Sequence, residues 1–294
     1  MHQVTFPPKT LNEMRSIMLL VEQGEIDLPM GRKSRDALAQ LIDNPKIASM
    51  HSISDLAASL SVSPASLTRL SRLLGFSSFK GFQLIFRSEM MGASEYYSQQ
   101  VRSQKGKAET INQLFSEVEE NLNTFKQTFD HQTILQVSKA IKKAGRVHCF
   151  GYRQTFSLAS FLCYGLGMIR QGVQLLNTSG QGLAFALGQI QKNELLIGFG
   201  FHPYSSRTVK MLQLAKKLEI PMVVLTDSMA SPIARLGGSV ITVPVKTSFY
   251  SNSMVCATFA IELLLSEVAK QMGEVALEQL EQRESLISQL NDEY

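Results

Sequence analysis

Cysteine is scarce in this sequence, and its spacing excludes several kinds of site. The 294 residues include three cysteines, Cys149, Cys163 and Cys256. They are far apart and odd in number, so no CxxC pair is available to hold zinc or to form a redox couple. His51, His131 and His148 are isolated and lack the spacing of metal ligands. We therefore expect no metal, no cofactor and a reducing compartment.

Long apolar runs are also missing. The longest such stretch, 254–265, is interrupted by Glu262 and is shorter than the about 20 residues that cross a bilayer. The first ten residues, MHQVTFPPKT, place polar and proline residues where a secretory signal needs an apolar core. The sequence therefore predicts a cytoplasmic protein that does not enter the membrane.

What is present is the composition of an ordinary folded protein. Hydrophobic residues make up 44% of the chain and charged residues 18%, and no low-complexity tract occurs. The length suits two domains, each able to bury its own core. A net charge of +4 permits nucleic-acid binding without the excess of a histone-like protein.

The pattern of apolar residues changes along the chain. Residues 1–93 show helical apolar spacing and no alternating strand pattern, which predicts an all-α domain. The polar segment 94–109, SEYYSQQVRSQKGKAE, is typical of an exposed linker. From 110 to 272, strand-like runs alternate with helical segments, and 273–294 has the spacing of an amphipathic helix. This C-terminal helix is a candidate for packing on a partner subunit.

The second domain is predicted to be an α/β fold with a parallel sheet flanked by helices. Its best strands are VHCFGY, LLIGFG, MVVLTD and SVITVPV, separated by crossovers of about helix length. In such folds ligands bind at the loops that follow the carboxyl ends of the strands.

Two short helices near residue 60 form a helix-turn-helix pattern. Residues 52–60 predict the first helix, and Ser63-Pro64 predicts the start of the second, because serine caps free amides and proline is tolerated at the first position. Leu67, Leu70 and Leu74 should face the core. The remaining positions give this second helix a short, polar and cationic outer face, the geometry that fits a major groove.

Direct base contacts are expected from Ser66, Thr68 and Arg69, because hydroxyls and guanidinium groups pair with base edges. Arg72, Lys80 and Arg87 are expected at phosphates, where they would position the domain without reading sequence. The alternative is a helical hairpin whose arginines only face solvent. The predicted DNA-binding set is Ser63, Ala65, Ser66, Thr68, Arg69, Arg72 and Lys80.

Residues 52–86 resemble the DNA-binding domain of the RpiR family of transcription regulators. The resemblance lies in SIxxLA, then VSPAS, then RLxxxLGFxxFxxF, in that order and with the family's spacing. It implies a winged or extended helix-turn-helix that binds operator DNA as a dimer, with Gly75-Phe76 ending the recognition helix.

Residues from about 122 to 270 resemble the sugar isomerase (SIS) domain that this family carries. The resemblance implies a flavodoxin-like three-layer sandwich that binds a phosphosugar through a GxGxS loop and an SxSGxT loop. This chain departs from both patterns. The first loop, Gly151 to Thr155, reads GYRQT, with arginine at the second glycine and threonine at the serine. The second, Gly200 to Thr208, reads GFHPYSSRT, with His202-Pro203 at the serine-glycine pair and Ser205 at the threonine.

These loops still carry the chemistry of an anion site. Loops at helix N-termini offer free backbone amides, and Arg153 offers a planar fork for phosphate or carboxylate. Thr226-Asp227 and 251–253 follow later strands at positions that complete such pockets, although 251–253 also caps the next helix, and Arg207 also suits a solvated first turn. The predicted effector-binding set is Gly151, Arg153, Thr155, His202, Tyr204, Ser205, Ser206, Thr208, Ser251 and Ser253.

Three functions stay open on the sequence. The favoured one is a regulator, not an enzyme, whose operator binding responds to a small anionic metabolite, expected to be a sugar phosphate, and which acts as a homodimer or homotetramer. The second treats the SIS domain as a dimerisation scaffold without an effector. The third, an isomerase, needs a base held against the substrate, and only His202 lies in a predicted pocket loop.

Overall fold

The computed structural model describes residues 6–104, 110–176 and 182–290. The chain forms two compact units that divide between residues 105 and 106. We refer to them as the helical domain and the α/β domain. The predicted order, an all-α domain followed by an α/β domain, is confirmed.

The helical domain consists of α1 (Leu11–Glu22), α2 (Arg32–Asp43), α3 (Pro45–Met50), α4 (Ile53–Ser59), α5 (Pro64–Leu73) and α6 (Phe79–Gln104). The apolar stripes of these helices meet in one core. Phe76, Phe82 and Phe86 add edge-to-face aromatic contacts, with ring centroids 5.6 and 5.1 Å apart. Residues 6–104 contain no strand, so of the two forms that the resemblance implied, the domain is the extended one and has no wing.

Glycine ends the recognition helix as predicted. Gly75 has φ +84°, a conformation that glycine adopts without steric cost. The N–H of Gly75 donates to Arg72 O and that of Phe76 to Ser71 O, which satisfies carbonyls at the helix end. Phe76 then turns into the core, where it is 8% exposed.

The predicted linker at 94–109 is partly helical. Helix α6 continues to Gln104, and 105–109 lie outside the described residues. Segment 94–104 contains few residues that break a helix, but its polar composition is equally typical of an exposed linker. Composition alone therefore did not distinguish a helix from a linker.

The α/β domain consists of α7 (Thr110–Thr128), α8 (His131–Lys143), β1 (Val147–Phe150), α9 (Thr155–Ile169), β2 (Val173–Leu175), α10 (Gly182–Gly188), β3 (Leu195–Phe199), α11 (Ser206–Lys217), β4 (Met222–Thr226), β5 (Ser239–Thr242), α12 (Val255–Met272) and α13 (Glu274–Leu290). The five strands are all parallel, in the order β2-β1-β3-β4-β5. This is the flavodoxin-like order.

The sheet is covered on both faces, which makes the three predicted layers. Helices α8, α9 and α12 pack on one face, against side chains such as Val147, Ile197 and Leu225. Helices α10 and α11 pack on the other face, against alternate residues such as Leu196 and Val224. The predicted four strands are confirmed. Strand β2 was missed because VQL is a short, half-buried edge strand without a distinctive apolar run.

Helix α13 forms most of the predicted C-terminal amphipathic segment. Arg283 on α13 donates to the Tyr164 hydroxyl of α9 at 2.7 Å and lies 5.2 Å from the centre of its ring. Several of its apolar side chains, including Leu286 and Leu290, remain exposed. Across the described residues, none of the helices combines the length and apolarity needed to span a membrane.

Candidate functional site

Helices α4 and α5 form the helix-turn-helix pair. Ser61 between them has φ +54°, and the N–H of Val62 donates to Ala57 O to close the turn. Ser63 caps α5, since its hydroxyl accepts from the Ser66 N–H at 3.1 Å. Pro64 occupies the first turn, where it loses no helical hydrogen bond.

The outer face of α5 carries the side chains predicted for DNA. Arg69 and Arg72 are exposed, and Lys80 is exposed at the start of α6. Ser66 and Thr68 are half-buried, and their hydroxyls bond Ser63 Oγ at 2.8 Å and Pro64 O at 3.1 Å. Each hydroxyl keeps an acceptor site for a base or phosphate donor. The other members of the predicted set are also accessible, with Ser63 and Ala65 exposed at the start of α5.

Arg87 has a different position from the other predicted phosphate contacts. Its Nε donates to Ser49 O at 3.0 Å and its Nη2 to Gln83 Oε1 at 3.1 Å. Gln83 itself is buried and donates to Ala48 O and His51 O. Arg87 therefore ties α6 to α3, a role that sequence spacing alone does not reveal.

In the α/β domain, the loop after β1 is a tight turn. A Cβ at Gly151 would lie 2.1 Å from Thr155 O, so the backbone itself requires glycine there. Arg153 has φ +58°, at the position where the family pattern has its second glycine. Thr155 is buried, and its hydroxyl accepts from the Tyr152 N–H at 3.0 Å and lies within donating distance of Tyr152 O and Phe199 O.

The loop after β3 lies beside the loop after β1. The Arg207 guanidinium is 5.2 Å from the centre of the Tyr152 ring, within the range of a cation–π contact. The rings of His202 and Tyr204 meet edge to face, with centroids 5.8 Å apart. These two loops flank the point between β1 and β3 where the strand order reverses, the usual ligand position in such sheets.

The loop after β4 adds a carboxylate. Asp227 is half-buried, and its Oδ1 accepts from the Tyr204 hydroxyl at 2.8 Å and from the Thr226 hydroxyl at 3.1 Å. Its negative charge contrasts with the loop after β1 and the start of α11, whose charged side chains are Arg153 and Arg207.

The loop after β5 is bonded to the first two. The Ser251 hydroxyl donates to Gln154 Oε1 at 2.8 Å, and Gln154 Nε2 donates to Asn252 O at 3.1 Å. Asn252 Nδ2 in turn donates to His202 O at 2.6 Å. Three loops from separate strands are thus held together by side-chain bonds.

The predicted effector residues divide into two groups. Gly151, Thr155, Thr208 and Ser251 are buried, and the hydroxyls of Thr155 and Ser251 bond within the protein. Those with solvent access are Arg153, His202, Tyr204, Ser205, Ser206 and Ser253. Sequence reasoning gave no role to Tyr152 and Gln154. It placed Asp227 and Asn252 at pocket positions and weighed Arg207, but it did not predict their contacts, which run between loops that are far apart in the chain.

Helix α7 is bonded to the same loop after β5. Asn121, which is 3% exposed, donates to Lys246 O at 2.6 Å. The Ser248 N–H donates to Glu117 Oε2 at 2.5 Å, and Lys246 Nζ lies 3.1 Å from Glu120 Oε2. Burial would raise the pKa of Glu117, but hydrogen bonds from Ser248, Gln113 and Thr247 outweigh burial and hold that pKa below its usual value.

The described part of the chain holds no cluster of three or more histidine, cysteine, aspartate or glutamate side chains with the geometry of a metal site.

Comparison with known families assigns both domains. The helix-turn-helix domain described as the rpiR family matches residues 32–92. The SIS domain matches residues 140–267.

Curated relatives are named as regulators. An uncharacterized HTH-type transcriptional regulator of Haemophilus influenzae is 26% identical over 219 residues, which cover 68% of this chain and 71% of that protein. The HTH-type transcriptional regulator HexR of Pseudomonas aeruginosa is 22% identical over 264 residues, covering 86% of this chain and 90% of HexR.

Solved structures share the fold. The sugar isomerase domain of an RpiR transcription factor from Sphaerobacter thermophilus is 29% identical, with a TM-score of 0.56, and the match covers 59% of this chain and 97% of that one. The Vibrio vulnificus NanR protein, complexed with ManNAc-6P, is 16% identical with a TM-score of 0.53, covering 93% of this chain and 98% of NanR.

Proposed function

Because this chain belongs to the rpiR family of helix-turn-helix regulators and carries a SIS domain, we propose that a small anionic metabolite, of the phosphosugar class or related to it, controls its binding to operator DNA. One observation carries the proposal. The same chain contains α5, a capped and cationic recognition helix, and a cluster of polar loops at the strand ends of the α/β domain. Such a regulator acts where the DNA is, so a cytoplasmic location belongs to the proposal.

On the DNA side, α5 enters the major groove and Arg69 reads a base. Removing one good bidentate contact costs about 1–3 kcal/mol and relaxes specificity at one position. Arg69→Ala should therefore weaken binding to a selected operator and flatten its preference. Lys80→Ala should instead weaken all sequences alike and reduce the salt dependence. If wild type and Arg69→Ala give the same DNA footprint at the same concentrations, α5 is not the helix that contacts the operator.

On the ligand side, the loops after β1, β3, β4 and β5 form the binding site. A ligand that binds only the folded protein raises its melting temperature. The test is a thermal-shift panel of sugar phosphates, amino-sugar phosphates and sugar acids, with ManNAc-6P included because it is the ligand in the NanR structure. A shift that Arg153→Ala or Ser205→Ala removes supports the site.

Ligand control needs a physical link between the loops and the helical domain. The loop after β5 supplies one, because Ser251 and Asn252 bond the ligand loops while Lys246 and Ser248 bond α7. Helix α7 is the first element after the connection from the helical domain. We infer that ligand binding repositions this loop against α7 and thereby changes the placement of paired DNA-binding domains.

Pairing of DNA-binding domains requires self-association, so the proposal includes a homodimer or homotetramer. Apolar side chains on α7 and α13 are exposed in the single chain, with Ile111 72%, Phe115 67% and Leu290 74% exposed. Burial of such surface is the ordinary driving force for association. Sedimentation at micromolar concentration should show a dimer or a larger species.

The scaffold alternative keeps DNA binding and removes the effector. It predicts that alanine at the strand-end loops leaves regulation unchanged.

The isomerase alternative predicts turnover of a sugar phosphate by the purified chain. Naming of the relatives as regulators favours DNA control over catalysis, and Glu262 on α12 is exposed.

A further inference from the structure

We propose that the acidic group of the effector is bound by the guanidinium groups of Arg153 and Arg207, and that a hydroxyl of the same molecule donates to Asp227. The ligand class is therefore a polyhydroxylated oxyanion, either a sugar acid or a sugar phosphate. This inference rests on the proposed function, since it specifies the chemistry of the same site.

Two of the hydroxyl groups that would form a phosphate nest are already in use. Thr155, at the position of the family serine, is buried and bonded to the backbone at Tyr152. Ser251 is buried, and its single proton goes to Gln154 Oε1. A hydroxyl has one proton to donate, so neither residue can donate to a ligand oxyanion without breaking a bond that holds the loops.

Arginine takes the place of these donors. Arg153 and Arg207 are exposed, and both flank Tyr152, Arg153 by sequence and Arg207 by its contact with the ring at 5.2 Å. Arg153 holds a backbone conformation, φ +58°, that disfavours every residue with a Cβ. Strain of this kind is concentrated at functional sites, and the residue that carries it here has an exposed guanidinium.

Asp227 is the proposed acceptor for the hydroxyl of the ligand. Tyr204 and Thr226 both donate to its Oδ1, which orients the carboxylate with Oδ2 available to a further donor. A carboxylate repels an oxyanion and accepts from a hydroxyl. The ligand must therefore place its acidic group toward the arginines and a hydroxyl toward Asp227.

The guanidinium group binds carboxylate and phosphate with the same paired geometry, so the proposal covers both anions. The experiment therefore tests a sugar acid and sugar phosphates separately. Calorimetric titrations of the full chain use D-gluconate, D-glucose 6-phosphate and ManNAc-6P, with D-glucose as the uncharged probe and inorganic phosphate as the probe without hydroxyls.

We expect at least one of the three hydroxylated anions to bind and D-glucose not to bind. Arg153→Lys and Arg207→Lys keep the charge and lose the fork, and each should weaken that anion about tenfold or more. Asp227→Asn should weaken the hydroxylated anion, whereas inorganic phosphate should bind equally well or more tightly, because a repelling charge is removed. The matched control is Arg146→Lys, the same substitution at the opposite end of β1, where the side chain is 54% exposed; it should bind as wild type does.

Two results overturn the inference and leave the proposed function standing. One is an anion that binds both lysine variants as tightly as wild type but fails to bind Ser205→Ala or Ser206→Ala, which would assign the acidic group to hydroxyls. The other is a panel in which only neutral or cationic compounds stabilise the chain. If no compound of any class binds while operator binding persists, the proposed ligand control fails as well.

Discussion

Arg153 combines an unfavourable backbone conformation with an exposed guanidinium. The left-handed region costs a residue with a Cβ roughly 1 kcal/mol or more relative to glycine. At φ +58°, Arg153 incurs this cost at a position where the family pattern has glycine. Stability alone would favour glycine, and the proposed role of Arg153 in anion binding gives a reason for the arginine.

Replacing Arg153 by glycine should separate stability from binding. Arg153→Gly relieves the strain and should leave the free energy of unfolding unchanged or raise it by up to about 1 kcal/mol, while anion binding is lost. Urea denaturation and calorimetry measure the two effects. Ser61→Gly is the matched control, because Ser61 has φ +54° in the helical domain and its replacement should leave anion binding unchanged. A clearly destabilised Arg153→Gly would show that the side chain holds the fold.

Gly151 is required by space, and the neighbouring helix offers a contrast. A Cβ at 151 would lie 2.1 Å from the backbone oxygen of Thr155, whereas a Cβ at Gly167 in α9 has no atom within 4 Å. Gly151→Ala should destabilise the α/β domain by about 1–3 kcal/mol or more through forced backbone movement. Gly167→Ala should stabilise it by roughly 0.5–1 kcal/mol. Thermal unfolding of both variants checks the pair, and equal melting temperatures would contradict the tight turn.

Among the elements, α5 depends on its cap. The Ser63 hydroxyl accepts from the Ser66 N–H at 3.1 Å, and loss of such a cap costs about 1 kcal/mol. Ser63→Ala should therefore speed amide hydrogen exchange in α5 by about fivefold, and Ser63→Asn, which also caps, should restore the wild-type rate. A rate that does not change in Ser63→Ala would mean that packing alone holds the helix.

The contact between α7 and the loop after β5 should weaken in acid. Because the pKa of Glu117 is held below its usual value in the folded chain, its bond contributes fully above the unfolded pKa of about 4.3 and is lost as pH falls through the folded pKa. After correction for intrinsic rates, hydrogen-exchange protection at 246–252 should therefore fall as the pH drops below about 4.3. The dependence should vanish in Glu117→Gln, and a variant with the same pH profile would assign the titration to another group.

Elements with a strong local pattern were predictable from sequence. The helix-turn-helix followed from Ser63-Pro64 and the spacing of three leucines, and four strands followed from their continuous apolar runs. Strand β2 and the helical part of 94–104 were not predicted, because a three-residue edge strand and a polar helix carry little periodicity. Two features of the site could not be predicted from sequence, because they depend on folded contacts within and between the loops. The hydroxyls of Thr155 and Ser251 bond within the protein, and the Arg207 guanidinium lies against the Tyr152 ring.

For the whole molecule, the loop after β5 should transmit the ligand signal. Asn121→Ala removes the buried bond to Lys246 O and leaves every side chain of the strand-end loops and of α5 unchanged. We expect this variant to bind the anion and the operator as wild type does, but to respond to the anion with a smaller change in operator affinity. Lys142→Ala, which removes a bond to Gln271 O elsewhere on the domain, should respond fully. An unchanged response in Asn121→Ala would place the coupling elsewhere.

The central claim is that one ligand changes the DNA affinity of this chain. The direct measurement is fluorescence anisotropy of a selected operator duplex titrated with the full chain, with and without the anion that binds calorimetrically. The account predicts a shift in the operator dissociation constant of roughly 5–150-fold, the usual range of allosteric coupling, and no shift in Arg153→Lys. Identical titration curves at saturating anion, with the anion bound, would contradict it and leave the SIS domain as a scaffold.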